Sequence, residues 1–148
     1  MSATETKVRN VVEPIITNLN YKLYDVIYEK EGSDNYLRIV IDNDEGISIN
    51  DCENVNNAIK DILDEEDIIK NQYMLEVSSP GLERRIRNDE HLEQALNKEI
   101  EVRTFKSGVI TGTLVKYDDK TVTVQNETEN VIDKKNISKM KTVYNWED

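Results

Sequence analysis

Leu75-Glu76-Val77-Ser78-Ser79-Pro80-Gly81-Leu82-Glu83-Arg84-Arg85 lies near the middle of the chain, and its reading decides how the rest divides. Leu75 and Val77 alternate with Glu76 and Ser78, the period-two pattern of a half-buried strand. Pro80 fixes φ and Gly81 tolerates φ > 0, so Ser78, Ser79, Pro80 and Gly81 are expected to form a structural turn of type II. Arg84, Arg85 and Arg87 follow, a knot of positive charge in an otherwise acidic region. A charge run of this kind is commonly solvated surface. Set by a turn at a domain junction, the three arginines are also the candidate contact for a partner or for RNA.

Upstream, Val8, Val11, Val12, Ile15, Ile16 and Leu19 recur at helical spacing and predict an opening helix. Pro14 lies off that stripe and is expected to kink or divide the helix, with Asn18 or Asn20 ending it. Two strands follow, over 21–30 with apolar groups on both faces and over 35–42 with Leu37, Ile39 and Ile41 on one face. Glu31-Gly32-Ser33-Asp34 joins them as a hairpin. Ser48 is the expected N-cap of a second helix, with Asp51 completing a capping box and Ile47 and Cys52 a hydrophobic staple. Its buried face is expected to carry Cys52, Val55, Ile59, Ile62 and Leu63. Asp64-Glu65-Glu66-Asp67 opposes the helix dipole at its end, either as a solvated terminus or as an acidic lip for a basic partner. With a third strand over 73–78, residues 1–87 read as an acidic α-β-β-α-β two-layer domain. KH domains share that order of elements, yet no Gly-x-x-Gly loop lies between helices to clamp a phosphate backbone.

Downstream, Asn88 or Asp89 is expected to cap a short linker helix over 88–98, and His91 within it is expected at the surface or junction. The pattern then changes to short strands over 100–104, 109–117, 121–125, 130–133 and 139–144, with a helical turn near Lys135-Asn136-Ile137. Such a run suits a small closed barrel over 99–148, cored by Ile100, Val102, Ile110, Leu114, Val122, Val124, Ile132, Ile137 and Val143. Trp146 is either a contact that supports this small module or part of a tail. The fold class expected for the whole is therefore α+β.

Composition narrows the function. No apolar run approaches the ~20 residues needed to span a bilayer. The N-terminus lacks a basic stretch followed by an apolar one, so no secretory signal and a cytoplasmic location are expected. Cys52 is the single cysteine and His91 the single histidine, too few for a zinc centre or a Cys/His nucleophile pair. Neither a P-loop, a dinucleotide fingerprint nor a Gly-x-Ser-x-Gly elbow is present, and Ser78-Ser79 has no evident base. A protein without cofactor or metal, and not an enzyme, is the expectation. Charge is unevenly spread: residues 1–97 hold 10 Lys/Arg against 21 Asp/Glu, whereas residues 98–148 hold 9 against 9. The whole net charge of −11 thus sits in the first two-thirds, where its field repels phosphate backbones and attracts basic proteins.

Leu75-Glu76-Val77-Ser78-Ser79-Pro80-Gly81-Leu82-Glu83-Arg84 resembles the signature of the ribosome maturation factor RimP family, and the order of elements on both sides agrees over nearly the whole chain. That family usually places proline after the arginine, where this chain has Arg85. Gly112-x-Leu114-x-x-Tyr117-Asp118 is similar to the opening motif of Sm-type barrels, although Val122 stands where those proteins use an asparagine to hold a base. The RimP resemblance implies a bacterial, cytoplasmic, monomeric assembly factor that does not engage membranes. It implies binding to the immature small (30S) subunit, the pre-30S particle, and help for a basic ribosomal protein of the decoding region to join it. The main contact with that protein is implied on the C-terminal barrel. Arg84, Arg85 and Arg87, set beside a turn, are the candidate local contact with rRNA phosphates. The alternative is a stand-alone RNA-binding protein built from KH-like and Sm-like modules.

Overall fold

Ser2 and Glu5 close a capping box at the start of helix α1 (Ala3–Asn18): Glu5 N–H donates to Ser2 Oγ at 3.1 Å and Ser2 N–H to Glu5 Oε1 at 2.9 Å. The second Glu5 oxygen accepts from Tyr28 N–H at 2.9 Å, so one buried carboxylate both caps the helix and ties it to strand β1 (Lys22–Glu31). These contacts come from a computed structural model that describes residues 2–81 and 83–143. Trp146 and the predicted strand end at Tyr144 lie outside the described residues. The chain divides into two compact units, Met1–Pro80 and Gly81–Asp148. Together they make a mixed α+β protein with three helices and two sheets.

In the first unit α1 runs unbroken through Pro14, contrary to the expected division. Pro14 removes the donor that would reach the Asn10 carbonyl, and both residues are exposed, on the side of the helix away from the buried stripe. Val8, Val12 and Ile16 form the buried stripe, whereas Leu19 falls past the last turn as C-cap and is 39 % exposed. Strand β1 pairs antiparallel with β2 (Asp34–Asp42) around the two-residue turn Gly32-Ser33. A bulge at Tyr24 shifts the register between Leu23 and Asp25. It therefore turns Leu23, Val26 and Tyr28 to the helix-facing side and leaves Tyr24 and Ile27 to cluster with Val40 on the other. On that second face Arg38 bonds Glu29, Glu31 at 2.9 Å and Glu76 at 3.3 Å, joining all three strands.

Helix α2 (Ile49–Glu66) begins with the expected box, Asp51 N–H donating to Ser48 Oγ at 3.1 Å and Ser48 N–H to Asp51 Oδ2 at 2.7 Å. Tyr21 O–H also donates to Asp51, which raises the phenol's pKa, while the Ser48 backbone bond and Tyr21 hold the carboxyl below its usual range. Val55, Ile59 and Leu63 bury against Leu37, Ile39 and Ile41 in the same core as the α1 stripe. Asp67 ends the helix in the left-handed region (φ 48°), its N–H donating to Leu63 O at 3.1 Å. Strand β3 (Met74–Ser78) then lies parallel to β2, giving the order β1-β2-β3, with α2 as the crossover.

The second unit holds helix α3 (Asp89–Ala95) and strands β4 (Glu99–Thr104), β5 (Val109–Tyr117), β6 (Thr121–Gln125), β7 (Glu129–Asp133) and β8 (Ile137–Thr142). The order is β7-β6-β5-β4-β8 with all neighbours antiparallel. No ladder joins β7 to β8 among the described residues, so the expected closed barrel is replaced by an open sheet. The 3-10 turn Lys134–Asn136 carries the chain from one edge to the other, where β8 pairs with β4. Curvature comes from β5. A Cβ on Gly112 would meet Gln125 O at 2.5 Å, and the register shifts around Val115, so the strand bends hard across its partner. Ile100, Val102, Leu114, Val122, Val124 and Ile132 fill the concave side, joined by Leu92, Ala95 and Ile86. Ile86, at the centre of the arginine knot, is a core residue that the charge pattern around it conceals.

Candidate functional site

The arginine segment is a strand fragment stitched to β8. Arg84 N–H donates to Thr142 Oγ1 at 2.8 Å, and Thr142 N–H returns a bond to Arg84 O at 2.9 Å. Ile86 N–H donates to Met140 O at 3.0 Å, and Arg85 and Lys141 face each other as an antiparallel bridge. Lys141 Nζ reaches Glu83 at 3.1 Å beside it. The apolar side chain of Ile86 supplies the anchor, and period-two alternation then sends its arginine neighbours the other way. These pairings join residues up to 58 positions apart, far beyond what a local pattern reveals.

His91 completes the fixing. It is 2 % exposed, not at the surface, and its Nδ1 accepts from Arg87 N–H at 2.9 Å. Its own N–H donates to Asn88 Oδ1 at 2.8 Å, the N-cap contact of α3. Nδ1 thus serves as a hydrogen-bond acceptor for the arginine segment's backbone. Asp89, Glu90 and Glu93 are exposed on the outer side of the helix, and its inner face, His91, Leu92 and Ala95, is buried.

Arg85 and Arg87 line a groove of about 350 Å³ together with Ile86, Asn88, Asp89, Leu92, Lys134, Ile137, Ser138, Lys139 and Met140. Arg84 is not part of its wall. Lys134 and Lys139 were not singled out in the sequence, because each sits in a stretch of ordinary surface lysines. Lys134 Nζ bonds Asp89 Oδ1 at 2.8 Å and lies 5.8 Å from the centre of the Tyr117 ring. Tyr117 O–H in turn donates to Glu93 Oε2 at 2.7 Å, and that bond raises the phenol's pKa. The Sm-type motif therefore serves the frame of this groove: Tyr117 links β5 to α3. Asp118 closes the following turn by accepting from Lys120 N–H at 2.8 Å and Thr121 N–H at 2.7 Å, which hold its carboxyl below the usual range.

At the signature stretch Ser78 ends β3 opposite Val40, and Gly81 has φ +80°, in the left-handed region. Nothing lies within 4 Å of a Cβ at Gly81, so conformation alone, and not space, asks for glycine there. Cys52 is half-buried, and burial pushes its thiol pKa up. Among the described residues no group of three or more His, Cys, Asp or Glu side chains is placed to hold a metal ion, and no helix is long and apolar enough to cross a membrane.

These features define a class: a two-unit α+β protein, acidic as a whole, with a cation-lined groove beside a curved open sheet. Residues 11–83 match the family model described as the RimP N-terminal domain, a span that takes in nearly all of the first unit. The chain belongs to the RimP family, a family of ribosome maturation factors.

Proposed function

We propose that this protein acts in maturation of the small ribosomal subunit in the bacterial cytoplasm, as a monomeric binding protein and not as an enzyme. It binds the pre-30S particle and escorts a basic ribosomal protein of the decoding region onto it. The observation that carries the reading, beside the family match, is the division of charge between the units. Residues 1–80 hold 7 Lys/Arg against 17 Asp/Glu, and residues 81–148 hold 12 against 13. The first unit supplies a long-range attraction for a basic polypeptide, and the nearly neutral second unit docks it without repelling it. Exposed Asp64, Glu65, Glu66 and Asp67 at the end of α2 add to the attracting face. A guest held by charge is released once rRNA competes for the same basic surface.

The first unit's α-β-β-α-β order supports a KH-like two-layer domain without its phosphate-clamping loop. The strand order of the second supports kinship with Sm-type modules, as an open sheet. Stand-alone RNA binding is the second reading, favoured by the groove alone. Titration of the full-length protein with purified basic small-subunit ribosomal proteins tests the first: binding is expected at low salt, weakening steeply as salt is added. No affinity for any of them at low salt contradicts it.

A further inference from the structure

The groove of the second unit is where charge and shape agree in the opposite sense to the rest of the chain. Arg85 and Arg87 reach it from the segment pinned to β8, Lys139 from β8 itself and Lys134 from the 3-10 turn. Asp89 is the one acidic side chain among the described lining residues, and it already bonds Lys134 at 2.8 Å. Four cations against one carboxylate thus gather in a protein whose net charge is −11. Their backbone is held rigid: Ile86 is buried, and the Arg87 N–H is committed to His91. Preorganisation of this kind lowers the ordering cost of binding.

Ribosomal components offer two chemistries, basic proteins and RNA phosphates. The sign of the groove repels the first and attracts the second. Its about 350 Å³ lies at the small end of ligand sites, and its wall sets four cationic side chains around an apolar floor of Ile86, Leu92, Ile137 and Met140. Guanidinium forks match phosphate oxygens two at a time, and lysines add point charge. We propose that this groove binds the sugar-phosphate backbone of RNA, with Arg85, Arg87, Lys134 and Lys139 as its contacts. The inference rests on the ribosomal reading above and assigns the groove to the RNA, leaving the escorted protein to other surfaces. It also accounts for how an acidic protein stays on an RNA-rich particle: the repulsion is overcome locally, at one short-range site.

The test uses the full-length protein and fluorescent single-stranded oligouridine, titrated over a range of salt. Arg85→Ala with Lys139→Ala removes two exposed contacts without touching the core. The plot of log affinity against log salt is expected to become shallower by about 0.7 for each cation removed, roughly 1.4 in all. Lys98→Ala with Lys116→Ala, exposed and off the groove, is expected to leave affinity and slope unchanged. Thermal melts are expected to be the same for all three proteins. The proposal is overturned by wild-type protein that does not bind oligouridine at low salt, by equal losses in both variants, or by polyglutamate displacing the RNA at lower concentration than oligouridine itself. Co-sedimentation with precursor small subunits is followed in parallel. Wild type that sediments with precursors while its oligouridine binding ignores the groove variant overturns the groove alone; absence of wild type from precursors overturns the ribosomal reading.

Discussion

His91 holds the arginine segment through a backbone hydrogen bond from Arg87, and its burial makes that bond costly to lose. Its Nδ1 receives the Arg87 N–H at 2.9 Å, between the core residues Ile86 and Leu92 in sequence. In His91→Leu the donor is left without this acceptor, and we expect a loss of about 1–3 kcal/mol in unfolding free energy. His91→Asn, which offers an oxygen near the Nδ1 position, should recover part of it. Chemical denaturation measures both, and equal stability of wild type and His91→Leu contradicts the assignment. Asp118 gives a pH-dependent test. Its carboxyl titrates below the ordinary range because it accepts the Lys120 and Thr121 N–H groups. A carboxyl with a lowered folded pKa contributes stability that is fully present above its unfolded value, about 4, and is lost as pH falls through the folded value. Asp118→Asn should therefore destabilise most near neutrality, and the gap to wild type should narrow in acid. A gap that stays constant with pH would show the turn to be held by other means.

Strand β5 shapes the second sheet, and its bend is set by one residue type. Gly112 lies so close to β6 that an added methyl would sit 2.5 Å from Gln125 O, a backbone atom that cannot swing away. Gly112→Ala should cost about 1–3 kcal/mol and lower the melting temperature, since overpacking forces the ladder apart; an unchanged melt would mean the sheet flattens freely. Elements whose signal is local were legible in the sequence. The α2 start at Ser48, the strands Val109–Tyr117 and Thr121–Gln125 and the turn around Asn136 carry their own caps, alternation and punctuation. Elements defined by a distant partner were not. Ile86 and the arginines read as a solvated knot because the strand that completes them, β8, comes some fifty residues later. The open sheet was read as closed for the same reason: strand count says nothing about whether the last edge meets the first. Pro14 shows the reverse limit, a local breaker overruled because Val8, Val12 and Ile16 still bury on the other side of the helix.

The whole molecule separates two electrostatic tasks. The first unit carries the acidic excess, suited on the proposed reading to basic polypeptides, and the nearly neutral second unit gathers Arg85, Arg87, Lys134 and Lys139 along one groove. The charge division was plain from composition, and the family was plain from the signature turn. The groove was legible only in part, since Arg85 and Arg87 stood out while Lys134, Lys139 and His91 needed the fold to bring them together. On this account the protein works on immature particles and leaves when rRNA has claimed the escorted protein's basic surface. The most direct test is the sedimentation profile of the tagged full-length protein in bacterial extract, run on a sucrose gradient at low salt. The account predicts that it migrates with precursors of the small subunit and is depleted from mature ribosomes. Migration with mature ribosomes only, or retention at the top of the gradient, would contradict it.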